Sequence, residues 1–272
     1  MGSLKTKPFL KWAGNKFKII DRIKEQLPPG KRLIEPFLGA AAVFLNTDFS
    51  QNLLNDSNSD LINLYQLVQQ QGAKFINEVQ PYFTKKYNTQ RQYYLLRECF
   101  NKSTDQLERA ILFIYLNRHG YNGLCRYNKK GGFNVPFGRF NRIYFPEAEL
   151  YHFYEKAQAA VFHCGDFSEV MQTAEAGDVV YCDPPYVPLS KTAYFTAYHQ
   201  QCFDFSAQER LAHLASTLAA RGVTVLLSNH ATQQTRILYQ EAAISEFLVS
   251  RTISCNIQKR QPITELLARY GA

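Results

Sequence analysis

Three observations predict a doubly wound, mostly parallel α/β sheet with a second module inserted into it. First, short strand-like runs recur at 33–36, 51–55, 160–163 and 178–182. Those at 160–163 and 178–182 are apolar runs bounded by turn signals, as parallel strands buried on both faces require. Second, helical patterns separate these runs, and strand–helix alternation is the signature of a parallel sheet. Third, residues 72–146 break the alternation, reading as helices followed by glycine- and asparagine-rich turns.

The elements follow in order. Leu33-Ile34-Glu35-Pro36 reads as the first strand, and Phe37-Leu38-Gly39-Ala40-Ala41-Ala42 as a turn of small residues opening a helix. Residues 51–55 form the next strand and end at Asp56. From about Asp60, the apolar Leu61, Ile62, Leu64, Tyr65 and Val68 fall near a 3.6 period and predict a helix. Residues 75–118 read mainly as helix, with Leu107, Ala110, Ile111, Ile114 and Tyr115 on one face. Gly120, Asn122-Gly123, Gly131-Gly132, Pro136 and Gly138 then predict turns and a hairpin over 119–145. The C-terminal half predicts strands at 160–163 and 178–182, a helix at 206–220, a strand at 223–228 and a helix at 233–239. A strand at 247–253 and a helix at 263–270 complete it. The expected division is a catalytic domain of residues 1–71 and 147–272, with an inserted domain of residues 72–146.

The chain has 272 residues, 46% of them hydrophobic and 20% charged, a globular rather than a disordered composition. No apolar run approaches the ~20 residues of a membrane span, so no membrane association is expected. The basic N-terminus is followed by no apolar segment of a secretory signal. With six cysteines, none spaced C-x-x-C, and six scattered histidines, neither a metal site nor a disulfide framework is expected. His119 and His163 read as structural imidazoles and Cys182 as a small hydrophobe, reduced in the cytoplasm. Lys and Arg total 31 against 23 Asp and Glu, a net charge of +8 that favours polyanionic partners, nucleic acid first.

Asp183-Pro184-Pro185-Tyr186 is the most informative motif. It follows a buried strand at the carboxyl end, where open α/β sheets place their sites. Two prolines remove two backbone donors, leaving an acceptor-only edge made by the Asp183 carboxylate and the Pro184 carbonyl. That edge suits an exocyclic amino group with its two N–H donors, and Tyr186 offers a face for stacking a planar base. Gly39 lets backbone approach a ligand closely. Asp56, about 20 residues further on, suits a ribose hydroxyl pair, or simply a helix-capping turn. Lys11 and Lys16 flank Trp12 in a glycine-containing segment, which suggests a ligand-facing loop. Residues 118–146 contain no acid. There Arg118, Arg126, Lys129, Lys130, Arg139 and Arg142 interleave with Tyr121, Tyr127, Phe133, Phe137, Phe140 and Tyr144, a pattern suited to phosphates and stacked bases.

Together these motifs resemble the DNA adenine N6-methyltransferases of the Dam family, the α-class amino-methyltransferases. The matching pieces are Lys11-Trp12-Ala13-Gly14-Asn15-Lys16, Glu35-Pro36-Phe37-Leu38-Gly39-Ala40, residues 117–127 (NRHGYNGLCRY), residues 133–139 (FNVPFGR) and Asp183-Pro184-Pro185-Tyr186. They occur in the α-class order. The resemblance implies a Rossmann-like methyltransferase sheet, S-adenosylmethionine as cofactor and S-adenosylhomocysteine as product. The implied substrate is adenine in GATC of double-stranded DNA. Trp12, Lys16, Phe37, Gly39, Asp56, Asp166, Phe167 and Asp183 would line the cofactor site, with Asp166 and Phe167 near its adenine. Tyr121 would be the wedge entering the duplex beside Asn122, and Leu124 and Pro136 the contacts to thymine methyls. Arg126 would read one guanine and Lys11 the other. Arg97, Asn128, Asn134 and Arg139 would meet the DNA backbone. The sequence departs from many relatives at Asn15 and Ala41, where glycine is usual, at Phe140, often tyrosine, and at Asn256-Ile257, often Asn-Gly.

The implied mechanism uses neither metal nor covalent enzyme intermediate. The adenine must leave the duplex, against a few kcal/mol of unstacking. Asp183 and the Pro184 carbonyl accept both N6 hydrogens, and transfer follows largely from positioning. A monomer in the bacterial cytoplasm or nucleoid is expected. An amino-methyltransferase acting on RNA or on cytosine N4, and a DNA-binding protein with a vestigial catalytic domain, are the competing readings.

Overall fold

The computed structural model describes residues 5–187, 203–249 and 262–271. Seven strands form one sheet: β1 (Arg32–Glu35), β2 (Gln51–Asn55), β3 (Ala160–His163), β4 (Val179–Cys182), β5 (Thr224–His230), β6 (Ala243–Val249) and β7 (Ile263–Tyr270). Their order is β3-β2-β1-β4-β5-β7-β6. β1 pairs in parallel with β2 and β4, and β4 with β5. β7 runs antiparallel to both β5 and β6. Among the described residues the α-helices are α1 (Ile20–Gln26), α2 (Ala42–Asn46), α3 (Ser59–Gln71), α4 (Ala73–Val79), α5 (Gln90–Lys102), α6 (Gln106–His119), α7 (Glu147–Ala157), α8 (Phe167–Gln172), α9 (Phe205–Ala220) and α10 (Gln233–Leu238). None of them is long and apolar enough to cross a membrane.

The parallel strands fall where the sequence predicts them. Residues 263–270, expected to be a helix, instead form β7. Ile263, Leu266, Leu267 and Tyr270 sit at helical spacing, but β7 is hydrogen-bonded on both edges, and Leu266, Leu267 and Ala268 are all fully buried. Tertiary burial overrides local propensity here. The strand expected at 247–253 runs from Ala243 to Val249, and the rest of that segment lies outside the described residues.

The chain divides into two units. The first comprises residues 1–20, 38–48 and 56–165, and the second residues 21–37, 49–55 and 166–272. An aromatic cluster lies at the core of the first unit. The Phe153 ring stacks on Tyr65 at 4.7 Å and meets Phe9 edge-on at 5.2 Å, and the Phe162 ring stacks on Tyr65 at 5.9 Å. The helical stretch expected at 75–118 is broken into α4, a 3-10 turn at Gln80–Phe83, α5 and α6. Thr89 caps α5 through the Gln92 N–H, and Asp105 caps α6 through the Glu108 N–H at 2.7 Å. The expected hairpin is slight, with bridges only at Gly120–Phe137 and Tyr127–Phe133.

The second unit packs α8 and α9 on the parallel strands. Its core includes Ile34, Val180, Cys182, Leu211, Ala215, Val225, Leu227 and Tyr239. The chain turns in opposite directions after β1 and β4, the strand-order reversal at which open sheets bind ligands.

Candidate functional site

In the second unit, Asp183, Pro184, Pro185 and Tyr186 directly follow the end of β4. Every residue of β4 is buried, so the motif projects from a fixed base. The loop is held from behind by groups that sequence reasoning missed. Gln208 on α9 donates to the Pro185 carbonyl at 2.6 Å. Asn229 Oδ1 on β5 accepts the Val187 N–H at 3.1 Å, while His230 Nδ1 lies 2.9 Å from the Val187 carbonyl oxygen. Asn229 Nδ2 donates to Gln208 Oε1 at 3.2 Å and to the Tyr239 hydroxyl at 2.9 Å, closing a buried triad. The only sequence signal was a polar Asn at the end of the apolar run Leu226-Leu227-Ser228.

The Tyr186 ring meets His230 edge-on at 4.8 Å, and its hydroxyl donates to Glu265 at 3.3 Å. Burial, with the charges of Asp183 and Glu265, pushes the Tyr186 phenol well above its usual range. The ring is therefore a neutral stacking surface. Phe37 and Phe167 are brought together, stacked at 5.3 Å, with Phe203 edge-on to both. Asp166 caps α8 through the Ser168 N–H at 3.0 Å and pairs with Arg210 at 2.8 Å. Burial opposes its charge, but the bonds from Ser168 and the Arg210 cation hold its carboxyl below the usual range.

In the first unit, Trp12, Gly39 and Asp56 come together. Gly39 has φ +47°, and a Cβ there would lie 2.9 Å from Trp12 Nε1. Only glycine lets the indole approach this closely. The Gly39 N–H donates to Asp56 Oδ2 at 2.9 Å, and the Asn58 N–H to Oδ1 at 3.0 Å. A carboxylate has about four lone-pair sites, so acceptor capacity remains for a hydroxyl. Burial pushes the Asp56 carboxyl up, against the N–H groups of Asn58, Gly39 and Ser57. Lys16, also buried, donates to the Gly14 carbonyl at 2.7 Å.

The departures from the family pattern are now interpretable. Asn15 has φ −49°, so the position needs no glycine, and its side chain caps the turn at Lys16–Ile19. Ala41 does occupy a glycine-type conformation, with φ +61°, at a cost of roughly 1–2 kcal/mol. Phe140 lies under the Lys11 ammonium at 4.0 Å, a contact that needs the ring and not a hydroxyl. Asn256 and Ile257 lie outside the described residues.

The residues expected to meet DNA all belong to the first unit. Tyr121 is 42% exposed, a ring free to enter another surface, and its N–H donates to the Pro136 carbonyl at 2.8 Å. Asn122 beside it has φ +53°. Lys11 and the 121–124 turn are joined by Asn117, a residue sequence reasoning left without a role. Its side chain bonds the Lys11 N–H at 2.9 Å, the Lys11 carbonyl at 2.7 Å and the Gly123 carbonyl at 3.3 Å. Burial and the nearby Arg118 lower the Lys11 ammonium to about 8. Arg126 is exposed and donates to Asn134 Oδ1 at 2.7 Å and to the Asn134 carbonyl at 3.2 Å. Asn128 accepts the N–H groups of Lys130 and Gly132, shaping its own turn. Arg97 donates to the Val135 carbonyl at 3.0 Å. Leu124 is half-buried, and Pro136 and Arg139 are exposed. Tyr127 and Phe133 turn inward, so they are not among the exposed aromatics.

A family model described as D12 class N6 adenine-specific DNA methyltransferase matches residues 12–253. The DNA adenine methylase of Escherichia coli (strain K12) is 53% identical over 266 residues, covering 98% of this chain and 96% of that protein. The DNA adenine methylase of Serratia marcescens is 54% identical over 267 residues, covering 98% and 99%. That of Vibrio cholerae serotype O1 (strain ATCC 39541) is 48% identical over 267 residues, covering 98% and 96%.

Proposed function

The chain belongs to the D12 class of N6 adenine-specific DNA methyltransferases, and we propose that it methylates N6 of an adenine flipped out of GATC in duplex DNA. The observation that carries the reading is the rigid Asp183-Pro184-Pro185-Tyr186 edge at the end of β4. S-adenosylmethionine supplies the methyl group. The Gly39 cradle and the remaining acceptor capacity of Asp56 fit its nucleoside. In this reading Trp12, Lys16 and Asp56 bind it, as do Phe37 and Phe167. Asp166 is already committed to Arg210 and to its helix cap.

Asp183 and the Pro184 carbonyl accept the two N6 hydrogens of adenine. This draws the nitrogen lone pair out of the ring and aims it at the methyl carbon. Tyr186 stacks the extruded base. As the new C–N bond forms the S–CH3 bond breaks, its electron pair leaving on the sulfur of S-adenosylhomocysteine, and the proton released from N6 passes to Asp183 or to water. Residues 72–146 act as the recognition domain, with Tyr121 as the wedge and Arg126 and Lys11 as guanine readers. The enzyme acts as a monomer in the bacterial cytoplasm.

The test is transfer of labelled methyl from S-adenosylmethionine to duplexes with one GATC, with GTTC, or with none, and to an RNA duplex of the same sequence. Transfer confined to the GATC duplex supports the reading. Equal transfer to RNA, or to cytosine in the GTTC duplex, overturns it.

A further inference from the structure

Arg126 stands between two residues that face the opposite way. In extended chain, neighbours alternate sides, and here both neighbours are tied to the N-terminus of α3. The Asn58 amide donates to Cys125 Sγ at 3.5 Å. The Tyr127 hydroxyl donates to Asp60 Oδ2 at 2.6 Å. Asp60 is buried, and its other oxygen takes Arg109 Nε at 2.9 Å and Nη2 at 2.7 Å. Arg109 in turn donates to the Phe100 and Ser103 carbonyls, each at 2.9 Å, so the carboxylate rests on a fixed cation. The Tyr127 ring packs edge-on against buried Phe133.

We propose that the Asn58–Cys125 and Asp60–Tyr127 hydrogen bonds form the mount that aims Arg126, making Tyr127 and Asp60 specificity-determining positioning residues that touch no base. The inference rests on the reading of Arg126 as a guanine reader. Two guanidinium N–H groups are held by Asn134, leaving three of five to face a base. A bidentate contact to guanine O6 and N7 tolerates little angular error. Arg126 hangs on a flexible stem, so its accuracy depends on how firmly its own backbone is set. The anchoring hydrogen bonds on each side of it supply that setting. Phosphate-binding lysines, as point charges, need no such mount.

The experiment measures initial methylation rates of the full-length protein on GATC and on duplexes with each outer base pair replaced. S-adenosylhomocysteine affinity and thermal midpoint are measured alongside. Arg126→Ala is expected to lower discrimination at one outer pair by about tenfold. Tyr127→Phe keeps the ring and loses only the hydroxyl, and it is expected to lower discrimination at that same pair by about three- to tenfold. Discrimination at the other outer pair and cofactor affinity stay within twofold. Cys125→Ala, which tests the second tie, shifts the same ratio in the same direction and serves if Tyr127→Phe does not fold. The mount is overturned if Arg126→Ala relaxes one pair while Tyr127→Phe, or Cys125→Ala in its place, leaves the ratio unchanged or slows all duplexes alike. If Arg126→Ala itself slows all duplexes alike, the reader is misassigned and the mount falls with it.

Discussion

In the proposed mechanism the carboxylates of Asp183 and Asp56 have different roles, and single substitutions should tell them apart. Asp183 follows β4 and grips the reacting amine in the proposed mechanism. Asp183→Ala should lower kcat by about 10²–10³-fold, the usual loss for one preorganised hydrogen-bonding partner at a reacting centre. Gel-shift affinity for duplex DNA should stay near wild type, because affinity comes mainly from phosphates. Asp56 instead holds the Gly39 turn with one oxygen and the Asn58 turn with the other. Asp56→Ala should weaken S-adenosylhomocysteine binding by roughly 1.5–3 kcal/mol, the range for hydrogen bonds to a charged group. Calorimetric titration reads it. An unchanged dissociation constant in a folded variant would reduce Asp56 to a turn residue.

At the scale of elements, α9 and β5 together hold the loop of residues 183–187. Gln208→Ala removes the donor to the Pro185 carbonyl and the acceptor for Asn229. It should cost about 1–3 kcal/mol of stability in denaturant unfolding and lower kcat without changing cofactor affinity. In α6, burial lowers the His119 imidazole to about 4. It faces the Tyr115 carbonyl, the cations of Lys11 and Arg118, and the rings of Tyr115 and Phe83. Between about 6.5 and about 4 the unfolded chain therefore takes up a proton that the fold refuses. Stability present above 6.5 is lost as pH falls through that window, and His119→Phe should flatten that limb in pH-dependent melts. The parallel strands were legible because short apolar runs such as 160–162 and 179–182, bounded by turn signals, have few other uses. β7 was not, because Ile263-Thr264-Glu265-Leu266-Leu267-Ala268-Arg269-Tyr270 carries a helical spacing that only its two strand neighbours overrule. At the site, Asp183 to Tyr186 and the Gly39–Asp56 pair could be read from spacing. The Gln208–Asn229–Tyr239 triad could not, since its members are far apart in sequence and ordinary in type.

For the whole molecule, the net charge of +8 sets the long-range behaviour. Duplex affinity should fall linearly on logarithmic axes as salt rises, by about 0.9 in slope for each phosphate neutralised. Lys129 is exposed in the Asn128 turn. Lys129→Ala should weaken every sequence alike and reduce that slope by about one. Binding isotherms at several salt concentrations check it, and a sequence-dependent loss would instead assign Lys129 to base reading.

The position of β7 has a consequence for biosynthesis. The last of the described strands in chain order is an interior one, lying between β5 and β6. Until residues 263–270 emerge, β5 has an open edge and β6 has no partner among the described strands. An open apolar edge is where nascent chains pair wrongly. The sheet therefore closes late, and between translation of β6 and of β7 that edge is open to chaperones and proteases.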